Sequence, residues 1–350
     1  MAGCGAPGVA TTVSVQTLEV TPPPTDTPVP TPAPPTAPPS AVPTPSGPDV
    51  IDAATARAMV DRWNAARAQA YAANDIGPLR ALESSPVLDT DTVVLTQRRI
   101  GAAARTAAPT VDQVTVAVPH QTGYPAVVYA TQTATVGSTA VDEVLGFTSP
   151  APGAPWTLAW RAATPDLRTG TPPLQTGADG AAILLDASAQ QTLLMTNAAA
   201  AGRLAADLRP GAASDPGMVL VQALPDIART ARDTQASFAK AGGSASVQFA
   251  GMATPVAMQT TEGGASIVMV VTYTATLNPA SGQRLTETSA HPYGQGLLLE
   301  GDYFQVVDTF TFMYAAQVPA KTAGASVTVY AVGGGLRGAT GTPAPPTPRA

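Results

Sequence analysis

Thirteen of the 28 residues from Thr21 to Pro48 are proline, and Asp26 is the one charged residue among them. Proline fixes φ and has no backbone N–H, so this stretch forms neither a helix nor the centre of a sheet. Any packed core must come from the residues that follow. The stretch reads as a disordered Pro/Thr-rich stalk, polyproline-II-like and semi-rigid, roughly 80 Å long at about 3 Å per residue. Its Ser/Thr-Pro content suits O-glycosylation, and a peptide ligand for proline-binding modules is the competing use.

Cys4 stands upstream of the stalk and is the single cysteine in 350 residues. One cysteine excludes an internal disulfide and any zinc site built on cysteines. Met1-Ala2-Gly3-Cys4 has the small residues and the cysteine of a lipoprotein processing site. The expectation is a lipid on Cys4 that holds the chain to the extracytoplasmic face of a cell membrane, with secretion as the variant. An export signal carries an apolar run of about 7–15 residues before its cleavage site. Three residues precede Cys4, so that run is expected upstream of the written start. No later stretch reaches 18 uninterrupted apolar residues, and a spanning helix is not expected.

The length suits two domains, and 45% apolar residues let each half bury a core. A formal net charge of −6 argues against nucleic acid as a partner, because such partners need a basic patch or stripe. Lys240 and Lys321 are the only lysines against sixteen arginines, a bias of composition that points to no chemistry.

Helical spacing begins at Asp49 or Asp52, either of which can cap a helix over residues 51–73. Met59, Trp63, Ala66 and Ala70 repeat on one face, while Asp61, Arg62 and Arg67 lie largely off it. Trp63 reads as the core anchor of that helix. Pro78 starts a short second helix through Glu83. Val87–Leu95 reads as a strand, and Gln97–Ala107 as another helical turn or two. Four strand candidates follow: Val114–Val118, Ala126–Thr135, Val141–Thr148 and Trp156–Ala163. Helices followed by a strand meander make an α+β unit.

Thr164–Gly180 is rich in breakers and reads as a linker. The second half repeats the order. Ala187–Leu208 and Asp226–Lys240 read as helices. Strands are expected at Ser246–Phe249, Thr254–Thr260, Ser266–Leu277, Tyr303–Tyr314 and Ser326–Val332, with Ile267–Val271 buried on both faces. Gly333-Gly334-Gly335 reads as a strand exit and Gly338–Ala350 as a disordered tail. The implied organisation is an anchor and stalk (1–48), a first domain (49–164), a linker (165–180), a second domain (181–338) and a tail (339–350).

Val118-Pro119-His120-Gln121 with Tyr124-Pro125, Trp156-Thr157-Leu158-Ala159, Trp63-Asn64, and the Phe304–Phe310 strand with Val318-Pro319 carry a resemblance over roughly residues 50–339. On these motifs the chain resembles a family of uncharacterised actinobacterial lipoproteins with tandem domains like those of nuclear transport factor 2. The resemblance implies two tandem cone-like α+β domains, each with N-terminal helices packed on a curved antiparallel sheet, and an address at the cell envelope. It implies no catalytic residue.

Several polar residues are candidates for chemistry. Asp89 and Asp91 share a face if Val87–Leu95 is a strand, with Asp142-Glu143 on another strand to oppose them. Paired carboxylates can serve as a general base or hold Ca²⁺, but the calcium-loop spacing is absent; solvated edges are the plainer reading. His120 beside Tyr124, and His291, sit among Pro and Gly as loop residues. Arg98, Arg99 and Arg105 fall short of the four to eight cations of a lipid-binding cluster. No nucleophile elbow, phosphate loop, zinc-protease or dinucleotide motif occurs, so neither a cofactor nor a metal is expected. The leading expectation is a non-enzymatic, envelope-anchored protein whose domains bind a small apolar ligand or an envelope protein. The alternatives are a small-molecule enzyme with one acid/base residue in a cone pocket, and an accessory subunit in cell-envelope assembly.

Overall fold

The computed structural model describes residues 49–101, 107–136, 139–164, 170–213, 215–221, 227–287, 297–322 and 325–344. Cys4, the proline-rich stretch, Arg105 and His291 lie outside the described residues.

Helix α1 spans Ala53–Ala73. Asp52 caps it by accepting from the Thr55 N–H at 2.7 Å, and Asn74 closes it in the left-handed conformation at φ 50°. Its buried face carries Met59, Trp63, Ala66 and Ala70 as the spacing predicts, together with Arg67. Arg67 is therefore a correction, being buried with a carboxylate partner. A 3₁₀ turn at Gly77–Leu79 has Pro78 in its first positions.

Helix α2, Val87–Arg99, overturns the strand expected at 87–95. Asp89 in its first turn and Arg98-Arg99 in its last complement the helix dipole. Thr90 and Thr92 donate their hydroxyls back to the carbonyls of Val87 and Leu88, so β-branched residues that suggested a strand are accommodated on a helix. Asp89 and Asp91 consequently diverge.

Strands β1 (Thr110–Ala117), β2 (Ala126–Val136), β3 (Thr139–Ser149) and β4 (Thr157–Thr164) form the expected antiparallel meander. In the second half, a 3₁₀ turn at Ala189–Thr192 and helix α3 (Asn197–Asp207) replace the single helix expected at 187–208. A short β5 (Met218–Leu220) precedes helix α4 (Ile227–Lys240). The two strands expected at 246–260 are one, β6 (Ser244–Gln259), whose register slips between Ala253 and Ala257. Strands β7 (Ala265–Asn278), the short β8 (Leu285–Glu287), β9 (Gly301–Val318) and β10 (Val327–Pro343) follow.

The expectation of two tandem cone-like domains is corrected by the sheet. All ten strands belong to one sheet, in the order β1-β2-β3-β4-β10-β9-β7-β6, with β5 on β10 and β8 on β9. The C-terminal strand therefore joins the meander of the first half, Val332 pairing with Ala163. Glycine makes the junction. A Cβ on Gly333 would overlap the Arg161 carbonyl, and one on Gly334 (φ +95°) would overlap the Thr311 carbonyl. Gly333–Gly335 is thus the middle of β10 and no exit. Beyond it Gly338–Pro343 continues to pair with β9, down to Pro343 against Tyr303, where a disordered tail was expected. The segment read as a linker, with the residues just after it, runs beside the ends of the two edge strands. Leu174 bridges Thr260, Ala182 bridges Pro119 and Leu184 bridges Met258.

Alternation along the strands decides what each half buries. On β2 and β3, Val128, Ala130, Phe147 and Leu145 face α1, where Trp63 meets Phe147 edge-on at 6.3 Å. Tyr129, on the other face, reaches the second half; its hydroxyl hydrogen-bonds with Ser266 Oγ at 3.1 Å, which is 2.8 Å from Tyr330 Oη. On β7, Val268 and Val270 join the core of the first half, while Ile267, Met269 and Val271 join a second core under α3. Ile267–Val271 is therefore buried on both faces, as its unbroken apolar run predicts.

Candidate functional site

Three polar features have built geometry, and they differ in what they can do. The largest lies between α1, α2 and the first-half sheet. Arg161 on β4 donates both terminal nitrogens to Asp91 on α2, at 3.0 and 2.7 Å. Arg67 on α1 donates to Glu143 on β3 at 2.9 Å, and Gln132 on β2 donates to the same oxygen at 2.7 Å while exchanging hydrogen bonds with Asn64. Burial pushes the Glu143 carboxyl up, but the charge and hydrogen bond of Arg67, the Arg161 charge and the Gln132 hydrogen bond together hold Glu143 below the usual range. Burial likewise opposes the Arg161 charge, and Asp91, Tyr71 and Glu143 together more than restore it. Both Arg67 and Arg161 also lie over the Trp63 ring, at 5.1 and 5.9 Å from its centroid.

Glu83 is the member of this cluster without an arginine of its own. It is 2% exposed; its Oε1 accepts from the Trp63 indole N–H at 2.9 Å, and its Oε2 has no partner among the described residues. Desolvation first, and the neighbouring Asp91 charge second, push its carboxyl up to about 7, against the pull of Arg161. Trp63, Phe147, Leu79 and Leu158 are all fully buried around it. Asp91 and Glu143 are each paired with an arginine there.

The second feature is a cleft of about 270 Å³ where the two halves meet. Ser85 and Pro86 at the start of α2, Trp160 on β4, Met252–Pro255 on β6, Val270 and Thr272 on β7, and Thr311 and Arg337 line it. Met252–Pro255, where the register slip in β6 begins, form one wall. Asn197 at the start of α3 holds that wall from behind, donating its amide to the carbonyls of Thr254 (2.8 Å) and Val256 (3.0 Å). Arg337 donates to Asp89 at 2.6 Å and to Ser85 at 3.0 Å. An adjoining recess of about 310 Å³ shares Arg337 and runs along Val307, Thr309 and Gly338–Thr340.

The third feature is at the entry to the fold. His120 hydrogen-bonds through Nδ1 with Asp49 at 2.8 Å and through Nε2 with Asp179 at 2.5 Å, clasping both the first described residue and the segment across the edge strands. The Asp179 hydrogen bond and then the Asp49 hydrogen bond raise its pKa above 6.5. The two carboxylates thus favour the protonated imidazole. Tyr124, four residues on, is exposed. Among the described residues no group of three or more His, Cys, Asp or Glu side chains is placed to hold a metal ion.

The residues singled out by sequence are therefore dispersed. Asp91 is locked inside, Asp89 is an outer partner of Arg337, and His120 is a clasp at the chain entry. Asp142 accepts from Thr133 instead of opposing Asp89 or Asp91. The cleft residues Trp160, Thr311 and Arg337 were invisible as a set, since they come from three strands far apart in sequence.

The sequence matches DUF8094, a domain of unknown function, over residues 49–335. The chain belongs to the DUF8094 family. The matched range takes in the buried cluster and the His120 clasp and ends at Gly335, in the glycine tract that joins the two halves of the sheet, two residues before the cleft's Arg337. No curated protein and no solved structure matches this DUF8094 chain.

Proposed function

We propose that this DUF8094 chain is a non-enzymatic binding protein of the cell envelope, lipid-anchored through Cys4 and held off the membrane by its proline-rich stretch. The observation that carries the binding reading is the contrast between interior and surface. Inside, Asp91 and Glu143 are committed to Arg161 and Arg67, among the buried side chains of Trp63, Phe147 and Leu158. Outside, a preformed cleft opens beside Met252, which is 58% exposed. Ligand sites combine apolar walls with a few placed polar groups, and this cleft has that make-up.

Anchoring is tested by expressing the gene from an upstream start and partitioning the product with detergent. The native chain enters the detergent phase and Cys4→Ser stays in the aqueous phase. Equal partitioning of the two refutes the lipoprotein reading. One observation favours a second reading, an enzyme with a single acid/base group: Glu83 titrates near neutrality. Its burial behind Trp63 and Asp91 sets it apart from the cleft, which it does not line.

A further inference from the structure

The main path of the sheet ends on β1 at one side and on β6 at the other, and the chain treats the two ends differently. A strand at the end of a sheet shows a row of unpaired N–H and C=O groups, which proteins blunt with charges, bulges or a covering segment. The β1 end has all three. Its register slips between Val111 and Gln113 around the exposed Asp112, Arg57 donates to the Val114 carbonyl at 3.2 Å, and the Ala182 N–H closes on the Val118 carbonyl. The far half of β6 is closed as well. Asn197 holds the carbonyls of Thr254 and Val256, the Leu185 N–H donates to the Ala257 carbonyl, and the Gln259 N–H donates to the Ile183 carbonyl.

Ser244–Met252, the near half of β6, has none of these devices. Its nine residues, Ser-Ala-Ser-Val-Gln-Phe-Ala-Gly-Met, hold no charge and no proline. Strand β7 pairs with one side of them, and among the described residues none of their backbone groups bonds to any other segment. Alternate backbone groups along such a strand point away from its partner. The outer side is therefore a free template roughly 30 Å long, at the strand rise of about 3.4 Å per residue. Ser244, Ser246, Gln248, Ala250 and Met252 are all exposed. Helix α4 sits over the other face, where Thr234 hydrogen-bonds with Tyr273 of the inner strand β7.

We infer that this edge pairs with the same edge of a second copy of the chain, antiparallel, across a two-fold axis at Gln248. That register uses the whole open stretch. Gln248 meets its own copy, Val247 meets Phe249, Ser246 meets Ala250 and Ala245 meets Gly251. A β-branched residue opposite an aromatic one is a favourable cross-strand pair. An unrelated partner would be selected by complementary charge, and the edge offers none; the same neutrality lets two identical edges meet without repulsion. The neutrality extends inward, since Thr276, Thr274 and Thr272 of β7 stand in register with Ser246, Gln248 and Ala250. A two-fold axis consumes both free edges at once, so the assembly closes at two chains.

The test is sedimentation velocity of the full chain across a dilution series. The native chain sediments as a pair when concentrated and as a single copy on dilution. Gln248→Lys sets two ammonium groups against each other at the axis and weakens association by about tenfold. Thr115→Lys, on the guarded β1 end, leaves association unchanged. Both variants keep the melting temperature of the diluted native chain, because both positions are exposed. In a Cys4→Ser background, Gln248→Cys oxidises to a cross-linked dimer, whereas Ser246→Cys, whose counterpart across the axis is Ala250, does not. A dimer that Gln248→Lys leaves intact, or that cross-links equally through Ser246→Cys, overturns the β6 pairing. A native chain that stays single at every concentration overturns the second copy as the occupant. If an added peptide of alternating Thr and Val then protects the β6 amides from hydrogen exchange, the occupant is a strand of another protein.

Discussion

Glu83→Gln isolates the one carboxyl of the buried cluster that burial holds protonated. In the unfolded chain Glu83 ionises near 4.5, and in the fold it does so near 7. Between those values the folded protein binds a proton that the unfolded chain has released, so stability falls as pH rises. Below 4.5 both states are protonated; above 7 both are ionised and the loss is complete. A displacement of this size corresponds to roughly 3 kcal/mol at full expression. Glutamine cannot ionise, keeps an oxygen for the Trp63 N–H and presents an amide donor toward Asp91. Urea unfolding at intervals from pH 4.5 to 8 measures the effect as a difference between the two chains. The variant gains on the native protein with rising pH, by an amount approaching 3 kcal/mol at pH 8. Curves that stay parallel from pH 4.5 to 8 refute the reasoning, since they require Glu83 to titrate alike in both states.

Two further outcomes follow from the junction and the clasp. Gly333→Ala drives a methyl into the Arg161 carbonyl and costs on the order of 3 kcal/mol, whereas Gly338→Ala on the same strand meets nothing within 4 Å and changes stability by less than about 0.5 kcal/mol. Thermal unfolding of both variants checks the contrast, and equal melting temperatures contradict the proposed role of glycine in joining β4 to β10. Asp179→Asn removes the largest influence on His120, so its imidazole pKa falls toward 6.5 in an NMR titration. The clasp stabilises the fold below about pH 6.5 and fades as pH rises through the raised value, so the variant loses its difference from the native chain in alkali.

Local order was written plainly in the chain, and its assembly was not. The Met59-Trp63-Ala66-Ala70 spacing, the Asp52 cap and the alternation in β1–β4 are one-dimensional signals, and each produced its element. The Val87–Leu95 run misled because Thr and Val favour strands only weakly, and dipole complementation with back-bonded Thr hydroxyls stabilises a helix there. That error also paired Asp89 with Asp91, two residues that a helix sends to different neighbours. The candidate site was even less legible, because a cleft shared by Trp160, Met252, Thr311 and Arg337 has no spacing to read.

From the sequence by itself came the exclusion of residues 21–48 from any core, the lone cysteine, the acidic balance and the order of helices and strands. Only the tertiary structure decided that two runs of helices and strands make one sheet. The physical reason lies in the backbone. Glycines read as punctuation let β10 come close to Arg161 and Thr311, where any side chain would have held the strands apart.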